Sequence, residues 1–135
     1  MSELKNQVRI ILADDDDSVY HELWRKLENE GYLIAKVNKG VDALKLCKVF
    51  KPKFLIIELL IPHMNALEVI KILYSDPTYP QGVTTIVMSS HHDTDNIEKC
   101  FAYGATDFIK KPFNAVNVLG KLKKLENSNR KIKRF

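Results

Sequence analysis

Hydrophobic residues along the chain follow two alternating spacings. Short runs rich in Ile, Val and Leu occupy residues 8–13, 32–37, 54–59, 84–89 and 106–109. Between these runs, apolar residues recur three and four positions apart, as in Val19, Leu23 and Leu27. The first spacing is typical of buried strands and the second of amphipathic helices. Five strands that alternate with five helices predict an α/β fold, in which a parallel sheet is covered by helices on both faces.

Polar and helix-breaking residues mark the predicted boundaries. Gly31 and Gly104 are predicted to end the first and fourth helices, because glycine readily adopts the left-handed conformation that follows a helix. Residues 75–82 contain Asp, Pro and Gly and predict the longest exposed loop. Short side chains with a hydrogen-bond acceptor favour the position that caps a helix N-terminus. The predicted caps are Asp17 or Ser18 for the first helix, Asp93, Thr94 or Asp95 for the fourth, and Asn114 for the last.

Composition predicts a single globular domain of ordinary size. The chain has 135 residues, of which 45% are hydrophobic and 28% charged. It contains no run near the ~18 apolar residues that a membrane span requires, and its first residues do not resemble a signal peptide. Cys47 and Cys100 are isolated, which favours reduced packing residues over a disulfide or a metal site. These features predict a cytoplasmic location without membrane insertion.

The net charge of +4 is unevenly distributed. Residues 121–135 carry +6, which leaves −2 on the first 120 residues. The sequence therefore predicts a mildly acidic domain over residues 1–126 and a basic C-terminal tail or linker over residues 127–135. Because the basic residues are concentrated in the tail, the pI of 9.0 is weak support for nucleic-acid binding by the domain.

Charged and hydroxylated residues follow the predicted strands where each strand ends. Asp14 and Asp15 follow the first strand, Glu58 ends the third, Ser89 ends the fourth and Lys111 follows the fifth. Folds of this class bind ligands at the carboxyl ends of their strands. Asp14 and Asp15 are therefore predicted to hold a hard divalent ion such as Mg²⁺. A solvated acidic turn without an ion is the alternative reading of this run.

Other candidate residues carry less information on their own. Phe108 alone predicts a core position, and Lys111 alone a solvated lysine. Lys111 precedes Pro112, and a peptide bond before proline adopts the cis form at modest energetic cost. The adjacent histidines His91 and His92 would point in different directions from a loop, which favours a structural or exposed role over metal binding.

Several motifs in order resemble the receiver domains of two-component response regulators. They are the acidic pair at 14–15, the loop at 62–65, the serines at 89–90, and the segments 104–108 and 111–113. The resemblance covers roughly residues 8–126. It implies a doubly wound five-stranded parallel sheet of order 2-1-3-4-5, the flavodoxin-like receiver fold, with the site where that order reverses.

The resemblance also implies a Mg²⁺ site. Asp14 and Asp15 match the acids that bind the ion in receiver domains. Leu60 lies where a backbone carbonyl joins the metal shell. Glu58 stands at the position of the phosphorylated aspartate, which also contacts the ion. Mg²⁺ is therefore the expected cofactor, with binding weakened or lost if Glu58 pairs with Lys111.

Three further residues match the groups that respond to phosphorylation in receiver domains. Lys111 matches the lysine that pairs with the phosphoryl group, and a cis bond is expected before Pro112. Ser89 matches the switch hydroxyl that moves to a phosphoryl oxygen. Phe108 matches the aromatic residue whose rotamer follows that hydroxyl.

Glu58 is the main departure from the receiver pattern. Its extra methylene moves the carboxylate by ~1.5 Å, and an error of ~1 Å in reacting geometry can cost two orders of magnitude in rate. The longer side chain is also expected to reach toward Lys111 and Ser89. Ala66, preceded by Asn65, replaces a glycine of the following turn, and this predicts an altered turn there.

The sequence thus predicts a receiver-type signalling module that is not an enzyme and acts without phosphorylation, as a pseudo-receiver. The resemblance implies a histidine kinase or output partner, bound through the fourth helix, fifth strand and fifth helix, and a homodimer through the same face. Two alternatives remain open. One is a slow but functional phosphoacceptor. The other, disfavoured by chain length, is a phosphatase of the haloacid-dehalogenase type, suggested by Asp14, Asp16 and Ser18.

Overall fold

Five parallel strands form the single sheet of the computed structural model, which describes residues 7–90 and 94–133, with side chains to residue 128. The strands lie in the order β2-β1-β3-β4-β5, which confirms the predicted topology. Their bounds are within one residue of the prediction at each end. The strands are β1 Arg9–Ala13, β2 Leu33–Val37, β3 Phe54–Glu58, β4 Thr84–Ser89 and β5 Asp107–Lys110.

Helices connect the strands and cover both faces of the sheet. The first helix, α1, has three parts: an α-helical turn Asp17–Val19, a π-helical segment Tyr20–Trp24 and an α-helical segment Arg25–Asn29. The others are α2 Gly40–Phe50, α3 Ala66–Ser75, α4 Thr94–Tyr103 and α5 Ala115–Lys133. No helix in the described part of the chain is both long and apolar enough to cross a membrane.

Two hydrophobic clusters fill the space between the sheet and its helices. Alternate residues of β1 point to opposite faces, so that Ile10 packs beneath α1 and α5 while Ile11 packs beneath α2, α3 and α4. Burial of one large aliphatic side chain contributes roughly 1.5–3 kcal/mol. Cys47 and Cys100 are free and buried in the second cluster, which confirms their predicted role as packing residues.

Side chains cap the N-termini of the first and last helices. The cap of α1 is Asp16, which accepts a hydrogen bond from the Ser18 amide, so the predicted caps Asp17 and Ser18 were wrong. Asn114 caps α5 as predicted, because its side chain accepts from the Val116 amide at 2.8 Å. Among the candidates for α4, Asp93 lies outside the described residues, as do His91 and His92.

In the turn after β3, the residues with left-handed backbone are not at the predicted position. Ala66 is the first residue of α3, and Asn65 caps that helix at φ −71°. The left-handed residues are instead His63, at φ 52°, and Met64, at φ 88°. The absence of glycine at residue 66 therefore leaves the helix start intact, and the strained backbone lies two residues earlier.

This turn is pinned to the start of α2. The Gly40 amide donates to the Pro62 carbonyl at 3.0 Å, and the Val41 amide donates to the His63 carbonyl at 2.8 Å. A Cβ atom on Gly40 would lie 1.6 Å from the Met64 carbonyl oxygen. Glycine is required at residue 40 because the two backbones approach too closely for any side chain.

The last helix continues through residue 126, the predicted end of the domain. Its inner face is buried at Val118 and Leu122, and Tyr32, directly before β2, contacts Glu126 through its hydroxyl. The backbone remains helical to Lys133. The division into a domain over 1–126 and a tail or linker over 127–135 stays a prediction.

Candidate functional site

Asp14 lies at the centre of the site, immediately after β1. Its side chain is fully buried. One carboxylate oxygen accepts from the Asp16 amide at 2.9 Å, and the other accepts from the Lys111 ammonium at 2.5 Å. Both oxygens are therefore held, one by the start of α1 and one by a cation. This pairing compensates a charge that would otherwise be costly to bury.

The other acids of the run at 14–17 face solvent. Asp16 accepts from the hydroxyl of Ser18 at 2.7 Å and from its amide at 3.0 Å. The Ser18 hydroxyl, followed by its amide, lowers the pKa of Asp16 because both hydrogen bonds favour the carboxylate. Asp15 is exposed. The four acids therefore separate into one buried member and three exposed ones.

Glu58 ends β3 with its carboxylate folded into the same site. One oxygen accepts from Lys111 at 3.1 Å and the other from the Leu59 amide at 2.7 Å. The side chain is 12% exposed. Burial raises the pKa of Glu58, and the hydrogen bond and charge of Lys111 only partly oppose that rise.

Lys111 joins the two carboxylates after β5. The peptide bond between Lys111 and Pro112 is cis, as expected from the resemblance. Burial alone would lower the pKa of Lys111, but the hydrogen bonds and charges of Asp14 and Glu58 outweigh it and raise the pKa. We call Asp14, Glu58 and Lys111 the lysine cluster. It carries a net charge of −1 when all three groups are ionised.

The remaining predicted residues surround this cluster. Ser89 is fully buried at the end of β4, and its carbonyl accepts from the Lys111 amide at 2.9 Å. Phe108 lies on β5 opposite Val87 and packs against the second hydrophobic cluster. Leu60 is 52% exposed in the turn after β3. The cluster lines a cavity of about 440 Å³ that opens between the acidic run and Phe113.

The two least exposed acids of the site lie around a lysine. No group of three or more His, Cys, Asp or Glu side chains among residues 7–90 and 94–133 is placed to hold an ion. Asp14 and Glu58 instead share the Lys111 ammonium. Mg²⁺ binds through oxygen ligands in near-ideal octahedral geometry. An entering cation would therefore have to compete with Lys111 for both carboxylates.

Tyr20 is a site residue that the sequence analysis missed. It is 4% exposed, and its hydroxyl contacts the backbone of Asp14 and the carbonyl of Val37. Burial raises the pKa of Tyr20 to about 12, so the hydroxyl remains protonated and able to donate. The hydroxyl thereby joins the ends of β1 and β2 behind Asp14. The sequence signal for this role was a large side chain with a hydroxyl group among the regularly spaced apolar residues of α1.

A comparison with protein families agrees with this geometry. Residues 10–123 match the family described as the response regulator receiver domain. The chain belongs to this family. Receiver domains of response regulators are signalling modules of two-component systems, and they typically bind Mg²⁺ at an acidic phosphorylation site.

Curated relatives are longer than this chain. It is 29% identical over 115 residues to the DNA-binding response regulator MtrA of Mycobacterium tuberculosis, and the match covers 85% of this chain and 49% of the relative. It is 28% identical over 118 residues to the response regulator MprA of Mycobacterium ulcerans, with 87% and 50% coverage. The chain therefore spans about half the length of the curated relatives it matches.

Solved structures share the fold. A CheY-like receiver domain protein from Methanospirillum hungatei superposes with a TM-score of 0.85 at 21% identity, covering 93% of this chain and 98% of the other. The receiver domain of a LuxO-type repressor from Vibrio parahaemolyticus gives 0.80 at 25% identity, with 95% coverage of each chain.

Proposed function

We propose that the chain is a receiver-type signalling module that acts without phosphorylation at Glu58. The observation that carries this proposal is the 3.1 Å contact between Glu58 and Lys111. In the proposed assignment, Glu58 stands at the phosphoacceptor position and Lys111 at the position that grips a phosphoryl group. A lysine already bound to two carboxylates is poorly available to neutralise the charge that develops during phosphoryl transfer.

The position of the Glu58 carboxylate supports the same proposal. Its second oxygen is bonded to the Leu59 amide, so both oxygens are engaged. Attack on a phosphoryl donor would require an oxygen to leave its partner and align with the incoming phosphorus. Because small errors in reacting geometry are costly in rate, a pre-engaged and longer nucleophile is expected to react slowly or not at all.

A second part of the proposal is that Mg²⁺ binding is weak. If the ion binds, Asp14, Asp15, Glu58 and the Leu60 carbonyl are the groups that would hold it. When bound, it would supply positive charge beside the phosphoacceptor position. Lys111 already supplies one such charge to Asp14 and Glu58, and the ion would have to compete with it.

The proposed output is protein binding through the face formed by α4, β5 and α5. Its support is the exposure of large apolar side chains there. Phe101 of α4 is 42% exposed and Val116 of α5 is 59% exposed. We propose Ser89 and Phe108 as the residues that connect this face to the lysine cluster. A histidine kinase, an output protein or a second copy of the chain is the proposed partner for this face.

The test of the proposal is labelling by acetyl phosphate in the presence of Mg²⁺, followed by intact-mass measurement. The native chain is expected to gain no phosphoryl group. The extra methylene of Glu58 moves its carboxylate away from the reacting position, and both carboxylate oxygens are already hydrogen-bonded. Glu58→Asp is expected to gain one, since the shorter carboxylate withdraws from Lys111. Glu58→Gln is the control for labelling at other residues.

Either of two results would contradict the proposal. Labelling of the native chain at residue 58 at the rate of Glu58→Asp would show that Glu58 is a functional phosphoacceptor. Failure of both chains to gain mass, with each still folded, would show that the site has lost phosphoryl transfer for reasons other than the length of Glu58.

A further inference from the structure

A second charged region lies at the opposite edge of the sheet from β5. Residues 36–53, which include the end of β2 and all of α2, contain six lysines and one acid, a net charge of +5. Residues 14–30, at the start of α1, contain seven acids against two basic residues, a net charge of −5. Near β2, the α1 segment is therefore the acidic side of the domain and the α2 segment is its basic side.

A groove of about 490 Å³ lies on the basic side, between β2 and α2. Its apolar lining comes from Val37, Leu46 and Val49, and its charged lining includes Asp42 and Lys45. Val49 is 79% exposed and offers apolar contact area at the groove. We call this region the β2 groove.

The β2 strand gives the groove an open backbone edge. In the described residues β2 pairs only with β1. The Leu33 amide donates to Val8 and the Val37 carbonyl accepts from Asp14, so residues 33, 35 and 37 face β1. Because backbone groups alternate in direction along a strand, those of Ile34 and Lys36 point to the open edge.

We propose that the β2 groove binds an extended, acidic peptide segment of a partner protein, which adds to β2 as a sixth strand. The exposed backbone of Ile34 and Lys36 would pair with the peptide main chain. The apolar lining would take alternate side chains, as in other recognition by strand addition. The basic surroundings of α2 favour an acidic sequence.

The lysines near the groove differ in where their ammonium groups lie, and only some of them can contact a peptide in the groove. The Lys36 ammonium lies 4.2 Å from the centre of the Tyr20 ring and 3.9 Å from Asp17, on the α1 side of the sheet. The Lys48 ammonium lies 4.5 Å from the Tyr79 ring. Lys45 is exposed within the groove lining and is therefore the principal cation for the peptide.

Charge also distinguishes an acidic peptide from two other occupants. A twofold interface would place the groove of one copy against the same groove of another, so that the basic α2 segments of the two copies would face each other. Lysines on edge strands commonly prevent such pairing between copies. A nucleic acid would gain from the positive charge but not from the apolar lining or the open strand edge, and Asp42 would oppose its phosphates.

The experiment titrates the full chain with a synthetic eight-residue peptide that alternates Glu and Val, and follows amide chemical shifts by NMR. The Ile34 and Lys36 amides are expected to show the largest shifts. Lys45→Glu is expected to weaken binding about fivefold, the equivalent of ~1 kcal/mol for an exposed charge pair. Lys124→Glu, an exposed lysine on α5, is the charge-matched control and should bind as the native chain does.

Further probes separate strand addition from general attraction. A peptide N-methylated at alternate residues keeps its charge but loses main-chain donors, and it should not bind. Equal binding of the methylated peptide, or equal effects of Lys45→Glu and Lys124→Glu, would overturn the proposal. So would tighter binding of duplex DNA at the same resonances, or shifts there that depend on protein concentration without peptide. The proposal is independent of phosphorylation at Glu58.

Discussion

The lysine cluster and the β2 groove are both charged regions, but they differ in how their charge is compensated. In the cluster, Asp14 and Glu58 are buried or nearly so and share one ammonium. In the groove, Lys45 is exposed beside an apolar lining and an open strand edge. The first region satisfies its own charges inside the fold, whereas the second leaves charge and backbone available to a partner.

This difference follows from where each region lies relative to the sheet. The carboxyl ends of the parallel strands lie at one end of the sheet, so that side chains that end or follow β1, β3 and β5 meet in one place. An edge strand has a neighbour on one side only, and its second side stays open. In the buried cluster, the energetic cost of removing one charge depends strongly on the other charges. Near the exposed groove, removing one charge has little effect on the energy of the others.

The largest expected effect is that of Lys111→Ala. Removal of the ammonium leaves two carboxylates close together without a cation, and loss of one partner from a buried pair typically costs about 3 kcal/mol. The control is Lys121→Ala. Lys121 pairs with Asp107 at 3.1 Å, but its side chain is 41% exposed. Such a pair contributes roughly 0.5 kcal/mol.

Urea unfolding monitored by the fluorescence of Trp24, the single tryptophan, measures both variants. The midpoint is expected to fall clearly for Lys111→Ala and little for Lys121→Ala. Equal losses would mean that the lysine cluster is no more interdependent than a surface ion pair, which would remove the contrast between the two regions.

Gly40→Ala tests whether the two regions are linked through the start of α2. Its Cβ would meet the Met64 carbonyl at 1.6 Å, in the turn that follows Glu58. Backbone displacement of this kind costs about 2 kcal/mol. The control is Gly120→Ala in α5, where nothing lies within 4 Å of the added carbon, and a helical alanine is expected to gain roughly 0.5–1 kcal/mol.

The Leu59 amide provides a local measure of this link, because it donates to Glu58. Its chemical shift is expected to change in Gly40→Ala and to stay constant in Gly120→Ala. A constant Leu59 shift in both variants would show that a change at the start of α2 does not reach the lysine cluster.

The smallest expected effect is the pH dependence of Glu58. Its pKa is raised by burial, so the folded state binds the proton more tightly than the unfolded state does. This contribution to stability is present at low pH and is lost as pH rises through the folded-state pKa. The free energy of unfolding of the native chain, relative to Glu58→Gln, is therefore expected to rise as pH falls from 7 toward 4.5.

Urea unfolding of the two chains at several pH values gives this difference directly. The opposite trend, in which the native chain loses stability relative to Glu58→Gln on acidification, would mean that the attraction of Lys111 outweighs the burial of the carboxylate. The cluster would then be stabilised by the ionised form of Glu58.

Much of the fold was predictable because its signals are local. The five runs of Ile, Val and Leu gave the strands to within one residue, and Asn114 and Gly104 marked helix boundaries as predicted. The errors arose where two adjacent residues compete for one role. Asp16, Asp17 and Ser18 all suit a helix cap, and Asp16 is the one with extended backbone, at φ −96° and ψ 109°, directly before the helix.

The residues that meet in the candidate site were predictable, but most of their contacts were not. Strand ends and family resemblance gave Asp14, Glu58 and Lys111, and the reach of Glu58 toward Lys111 was expected from its length. Tyr20 was missed because its hydroxyl acts on backbone atoms of two strands that are distant in sequence. The left-handed backbone at His63 and Met64 was also missed, since neither residue is a glycine.

By itself the sequence determined which residues form strands and helices and which charged groups stand at the strand ends, because these depend on short-range spacing and side-chain chemistry. Only the tertiary structure decided that one ammonium serves both Asp14 and Glu58, and that Lys45 of α2 borders a groove beside the open edge of β2. Such arrangements depend on distances between segments far apart along the chain. Those distances are set by the packing of helices on the sheet, which no local pattern encodes.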